Sequence, residues 1–229
     1  MCLSNDILTF ASASSILFTD ATIITFNKET SRTRTIFNSS LLVQNDRITQ
    51  IYDNETPTSY PNDTKVINAT GKIISPGFID THHHLWQTAF KTIASNTTLT
   101  EYFQRYGEFG PSIQNFTPDD KYLGTLAGAL ELLHAGTTTV LDHSHGDSSN
   151  ETADAILNGT IDSGIRAYHG FAIHTLSNNY SVGEQIAKLV ELSEDERLGG
   201  DHLVSLGLAF DAFEGTPKET LDQLWDIVQ

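Results

Sequence analysis

Three things are scarce in this chain, and each scarcity closes off a class of protein. Cysteine occurs once, at Cys2, so neither an internal disulfide framework nor a cysteine-built zinc site can form. That usage favours a reducing compartment, and the cytoplasm is the expected location. Basic residues are few: 13 Lys and Arg against 29 Asp and Glu leave a formal net charge of −16. Such a field repels phosphate backbones and anionic lipid surfaces, so nucleic-acid and membrane partners are not expected. Long apolar runs are also absent, none approaching the ~18 residues of a spanning helix. The stretch from Met1 to Phe18 lacks the basic start and sustained apolar core of a signal peptide. No GxGxxG or GxxxxGK[ST] follows any strand-like segment, so a nucleotide-binding reading has no residues to stand on.

One feature is over-represented. Nine of the thirteen asparagines sit in Asn-x-Ser/Thr triplets, where Ser/Thr frequency alone gives about three. Without an entry signal this reads as the bias of a Thr/Ser-rich sequence rather than as a glycosylation pattern. The hydrophobic share, 38% of 229 residues, is enough for a buried core.

The pattern along the chain predicts an α/β protein of two parts. Residues 1–75 read as a β-rich module, expected as a β-sandwich. Ala21–Phe26 and Ser40–Val43 are dense in β-branched and apolar residues, Asn45-Asp46 is a turn pair, and Arg47–Tyr52 alternates polar with apolar. Lys65–Ile67 and Lys72–Ile74 complete it. Over 76–229, short apolar runs alternate with helical stretches, the signature of βα units on a parallel sheet. Strands are expected at Gly77–Thr81, Thr137–Leu141, Ile165–Phe171 and Leu203–Phe210. Trp86–Phe116 reads as long and irregular. Thr117-Pro118-Asp119-Asp120 starts a helix with Thr as N-cap, Pro first and acids in the first turn. Further helices are expected over Ser149–Ser163, stopped at Gly164, and over Val182–Leu198. Thr216-Pro217-Lys218-Glu219 reads as a capping box opening a fourth. Four such units are half of an eight-unit barrel, with an open doubly wound sheet as the plain alternative.

The chemistry concentrates in Ser75-Pro76-Gly77-Phe78-Ile79-Asp80-Thr81-His82-His83-His84-Leu85-Trp86. Alternate side chains of a strand share a face, so His82 and His84 point one way and His83 the other. Two neutral imidazoles on one face can bind a divalent ion. A solvent-exposed histidine run with no ligand is the bland alternative. His143 and His145 repeat the spacing after the second strand, beside Asp142; His169 ends the third strand, and His174 lies beyond it. Substrate contact or a structural hydrogen bond is the expected role for these four, ahead of metal ligation, with His145 placed on the substrate. His134, within a helix, and His202, at the opposite end of the fourth strand, read as structural.

The stretch PGFIDTHHHLWQ resembles the first-strand metal motif of the amidohydrolase superfamily, PGxIDxHxH, and AGTTTVLDHSH at Ala135–His145 resembles the same family. The deaminase and chlorohydrolase branch is the one it looks most like, across nearly the whole chain from about residue 16. The resemblance implies the first half of a TIM-type (β/α)8 barrel, with His82 and His84 as metal ligands and Gln87 contacting substrate. Trp86 reads as a pocket wall or as simple packing. One divalent ion is implied, zinc by preference, with iron or manganese as alternatives. His202–Asp211 contains no lysine, which fits the one-metal type. The implied reaction is hydrolysis of a non-peptide carbon–nitrogen bond in an N-heterocycle, cyclic amidine or amide-like substrate, by a metal-activated water.

The resemblance also implies ligands from later strands that this sequence does not contain. The expectation is therefore a truncated form of a longer enzyme, with edges open enough to favour a homo-oligomer. The rival reading is a catalytically inactive half-barrel that acts only through protein–protein association.

Overall fold

The computed structural model describes residues 15–107, 110–176 and 178–228, so Cys2 and most of the Met1–Phe18 segment lie outside the described residues. The chain divides into two compact units, Met1–Pro76 and Gly77–Gln229. No helix among the described residues is long and apolar enough to cross a membrane.

The first unit is β-structure throughout. β1 (Ser15–Asn27), β2 (Arg32–Gln44), β3 (Arg47–Tyr52), β4 (Thr64–Asn68) and β5 (Ile73–Ile74) form one sheet in the order β3-β2-β1-β4, with β5 also on β1. Alternation drives β1: Ser15, Leu17, Thr19, Ala21 and Ile23 are buried while their neighbours are less so. Asn45 makes the turn between β2 and β3 in the left-handed conformation that asparagine tolerates (φ 54°). The sequence suggested stacked sheets of short strands, whereas the described residues show a single sheet with β1 and β2 of 13 residues each. Asp20 (φ 58°) and Asn38 (φ 48°) explain the difference. Both are polar and interrupt the apolar pattern, yet they sit in bulges that bend the strands without ending them. Ala21, Ile23, Ile36, Leu41 and Ala69 form the core of this bent sheet.

In the second unit the period changes. β6 (Phe78–His83), β7 (Thr137–Ser144), β8 (Arg166–Ala172) and β9 (Val204–Ala209) lie side by side in that order, every neighbouring pair parallel. Parallel neighbours require crossovers. Between β6 and β7 run α1 (Leu99–Arg105) and α2 (Pro118–His134); α3 (Asn150–Ser163) joins β7 to β8, α4 (Val182–Ser193) joins β8 to β9, and α5 (Lys218–Ile227) follows β9. All four strands thus end at the same edge of the sheet. β6 and β9 are the edge strands, and on β6 the apolar Phe78 and Ile79 remain 68% and 69% exposed.

Local chemistry sets the helix ends. Thr117 accepts from the Asp120 N–H while the Asp120 carboxylate accepts from the Thr117 N–H, with Pro118 at the first helical position. Ser149 caps α3, and Gly164 closes it at φ 72°. Two expectations shift. α4 stops at Ser193 because Asp195 turns the chain: its Oδ1 accepts from Arg197 N–H at 2.9 Å, and its carbonyl accepts from Leu198 N–H at 3.0 Å. The capping box at Thr216 does not form; its hydroxyl donates to Ala212 O, leaving Pro217 as an N-cap without a side-chain bond. α1, in the stretch read as irregular, has its own capping box between Thr98 and Glu101.

Candidate metal centre

β6 carries the informative side chains, and its pairing with β7 shifts register between Asp80 and His83. His82 is exposed, and its backbone N–H donates to Asp80 Oδ1 at 3.1 Å. The His83 ring is turned to Asp80 instead, with Nδ1 3.0 Å from Oδ2. His84, at the strand's end, brings its ring edge-on to that of His82, with centroids 4.8 Å apart. The two sequence-predicted ligands are therefore adjacent, and His83 is not with them.

A second strand orients the pair. His84 Nδ1 lies 2.8 Å from His143 O on β7. A carbonyl only accepts, so Nδ1 carries the hydrogen and the Nε2 lone pair is left available. This is how an outer partner fixes the tautomer of a ligating imidazole. Burial holds the His84 pKa below its ordinary value, and the rings of His143 and His82 push the same way. The ring stays neutral, the form a metal takes.

Behind the pair sits a buried histidine wall. His145 lies 4.1 Å from His84, ring to ring, and 5.6 Å from Trp86. Burial, reinforced by His84 and His143, drives its pKa down to about 2. The ring of His143 is 5.3 Å from His84 and stacks on His174 at 6.2 Å. His174 is fixed through its backbone, which exchanges bonds with the Gln185 side chain at 2.9 and 2.8 Å. His169 is fully buried on β8, its Nδ1 3.6 Å from Asp142 Oδ2. Asp142 is the tie between strands, since its Oδ1 accepts from Leu85 N–H at 2.9 Å, just past His84. His134 and His202 are exposed and away from this cluster.

Gln87 lines an open cleft of about 450 Å³ together with His82, His83, His84, Lys91 and Glu131. Its amide donates to Tyr102 OH at 2.8 Å and Tyr106 O at 3.2 Å, which anchors it to α1 and the residue beyond. A larger cavity of about 930 Å³ lies between α4, β9 and α5, lined by Leu189, Leu206, Leu208, Phe210 and Trp225. It is apolar and holds none of the histidines.

The donor set fits part of a metal site. Two neutral imidazoles with one preset tautomer match what a divalent ion takes from a strand end. Among the described residues, no three His, Cys, Asp or Glu side chains are grouped so as to hold one ion. Two imidazoles are fewer than the three protein ligands, with water, that catalytic zinc usually has.

Sequence reasoning missed Lys121, Asp147 and the depth of Trp86. Trp86 is 1% exposed, and Lys121 Nζ lies 3.3 Å from its ring centroid. The available signal was the small-residue face of α2. Gly124, Thr125, Gly128 and Ala129 are buried, and Lys121 falls on the same face one turn earlier. A Cβ on Gly124 would sit 2.7 Å from Trp86 O, and one on Gly128 2.6 Å from Leu85 O, so only glycine lets α2 press this close beneath the site.

Residues 73–227 match the family model described as "Amidohydrolase family". The 5'-deoxyadenosine deaminase of Methanobrevibacter smithii is 32% identical over 155 residues, 68% of this chain and 33% of that protein. A 5-methylthioadenosine/S-adenosylhomocysteine deaminase of Thermococcus kodakarensis is 29% identical over 73% of this chain and 37% of its own. Among solved structures, guanine deaminase from C. acetobutylicum with bound guanine superposes with a TM-score of 0.74 at 19% identity. Atrazine chlorohydrolase from Arthrobacter aurescens, complexed with zinc, does so at 0.68 and 21%. Each of these superpositions covers 93% of this chain and 50% of the other. The chain thus spans about a third of the length of the curated relatives it matches, and half that of its structural neighbours.

Proposed function

Since the chain belongs to the amidohydrolase family, we propose that it carries the first-strand metal ligands of a hydrolase acting on non-peptide carbon–nitrogen bonds. The reaction in this reading is deamination, or a related hydrolysis, of an N-heterocycle or cyclic amidine. Its four βα units are the first half of an eight-unit barrel whose active face is the edge where the strands end. Residues 76–229 belong to that barrel and residues 1–75 to the β-rich module of a composite enzyme. The relatives named deaminases, and the neighbour holding guanine, favour an aminated ring as substrate.

One observation carries the proposal: the His82 and His84 rings meet at 4.8 Å at the end of β6, with His84 Nδ1 engaged by His143 O. His82 and His84 would hold the ion, zinc in preference to iron or manganese given the zinc-bound neighbour. A divalent ion there would supply a bound water whose pKa is lowered towards about 7. The chain's own residues do the rest of what this half contributes. His143 O and Asp142 orient the ligand strand, and His145, its Nδ1 buried without a partner among the described residues, would contact substrate from behind the ligand pair. Gln87, anchored by Tyr102, presents its amide to the cleft.

The test is metal content after dialysis against zinc, for the wild type, His82→Ala and His84→Ala. Retention by the wild type with loss in both variants supports the site. Equal content in all three removes these histidines as ligands.

A further inference from the structure

Lysine is among the side chains least often buried, yet Lys121 is fully buried on the first turn of α2. Its Nζ stands 3.3 Å from the centroid of the Trp86 ring and 5.1 Å from that of Phe116, with no hydrogen-bond partner among the described residues. The same indole meets His145 edge-on at 5.6 Å, and His145 lies 4.1 Å from His84. There is no slack around the ring: a Cβ on Gly146 would fall 2.9 Å from it.

We propose that Lys121 is a positioning residue: its ammonium, held against the indole face, fixes Trp86 and through it the His145 ring at the back of the histidine cluster. The proposal rests on the reading of His145 as a substrate-side group. An ammonium in this position has lost its water and gained no hydrogen bond, so the electron-rich ring face is what compensates it. An uncharged side chain of equal length would fill the space without that attraction, and the indole would lose its anchor.

The charged neighbours are few. Asp147, in the loop after β7, and Asp120, on the same helix, both favour the protonated lysine. The Asp120 carboxylate is already engaged by Thr117. Asp147 is buried, accepts from Ser144 Oγ at 2.9 Å, and faces His169 and Asp142 in turn. The turn carrying Trp86, and Phe116, bring no charge. Burial outweighs these attractions and brings the Lys121 pKa down to about 7, while burial raises Asp147 to about 7. The anchor is therefore cationic on the acid side of neutrality and lost on the alkaline side.

Trp86 and Trp225 are the chain's two tryptophans, and Trp225 is 66% exposed, so Trp225→Phe in the full chain leaves Trp86 as sole reporter. Its emission is expected to change in one step with a midpoint at about pH 7, the value to which burial brings Lys121. Lys121→Met should abolish the step. Lys121→Arg, charged throughout, should hold the acid-side spectrum to about pH 9. Asp147→Asn should keep the step and move it to lower pH, because the carboxylate that supports the ammonium is gone. The His145 ring resonances should follow the same step in the parent and lose it in Lys121→Met. A step that survives Lys121→Met, or a flat titration in the parent, overturns the proposal. If Lys121→Met does not fold, the parent against Lys121→Arg decides it in the same way. Zinc content of these proteins is read in parallel, so failure of the Lys121 anchor and failure of the His82–His84 site register separately.

Discussion

His-x-His occurs twice at the ends of neighbouring parallel strands, and the two copies meet opposite fates. On β6, His82 is exposed and His84 half-buried, with one nitrogen held and the other left available. On β7, His145 is 5% exposed and wedged between Trp86 and His84. The spacing is the same, so spacing cannot be the cause. The neighbours are: His145 packs against both the Trp86 and the His84 ring, at 5.6 and 4.1 Å, whereas His82 meets the rings of His84 and His143 at 4.8 and 5.8 Å and stays exposed.

The largest expected effect tests that division directly. Zinc affinity should fall by more than about 100-fold in His82→Ala and His84→Ala, beyond the 10- to 100-fold that outer partners are worth. His143→Ala should cost much less, since the group that orients His84 is the backbone carbonyl, which the substitution leaves in place. Calorimetric titration with zinc measures all three. A His143→Ala loss equal to that of His84→Ala would break the comparison, making β7 a ligand strand as well.

Next in size is a pH effect confined to the buried side. Lys121, lowered to about 7, takes up protons on unfolding between about pH 7 and its ordinary value of 10.5, so stability rises with pH there. Asp147, raised from 3.8 to about 7, releases protons on unfolding in its window, so stability falls between about pH 4 and 7. Urea unfolding should show a trough near neutrality, with each arm on the order of several kcal/mol at most. Lys121→Met should flatten the alkaline arm and Asp147→Asn the acid arm. Monotonic stability from pH 4 to 10 would contradict both assignments.

Much of this was legible in the sequence, and what was not has physical reasons. Thr117 with Pro118, and Ser149 with Gly164, act within a few residues of themselves, so their helices could be read locally. The HxH alternation could also be read, because strand geometry places His82 and His84 together whatever lies around them. Burial could not, because it depends on which strand sits beside which. Lys121 looks like any first-turn lysine until Trp86 is known to pack on that face. Thr216 had the right letters for a cap, but its hydroxyl donates to Ala212 O, a choice made by the loop before it. The full length of β1 and β2 was not legible either, because bulges such as those at Asp20 and Asn38 use the same residues as turns.

A middle-sized effect belongs to the link between the two strands. Asp142→Ala should destabilise the fold by about 2 to 4 kcal/mol, leaving Leu85 N–H unpaired and His169 without its carboxylate neighbour. The urea midpoint should fall with an unchanged slope. Zinc affinity should fall as well, since Asp142 anchors Leu85, the residue that follows His84. A stability loss with no change in affinity would separate the strand link from the ligand geometry.

The smallest expected effect is the most discriminating. His83 lies between the two proposed ligands in sequence and lines the same cleft, but its ring is paired with Asp80, where both side chains are 31% exposed. His83→Ala removes one partly solvated contact, so its stability cost should stay below about 1 kcal/mol. Asp80 keeps its bond from His82 N–H, and the ring-to-ring geometry of His82 and His84 has no reason to change. Zinc affinity should therefore stay within about threefold of wild type, well under what an outer partner is worth. A loss as large as that of His84→Ala would mean that all three rings share the ion. The pairing of His83 with Asp80, rather than the burial of β7, would then be the wrong premise.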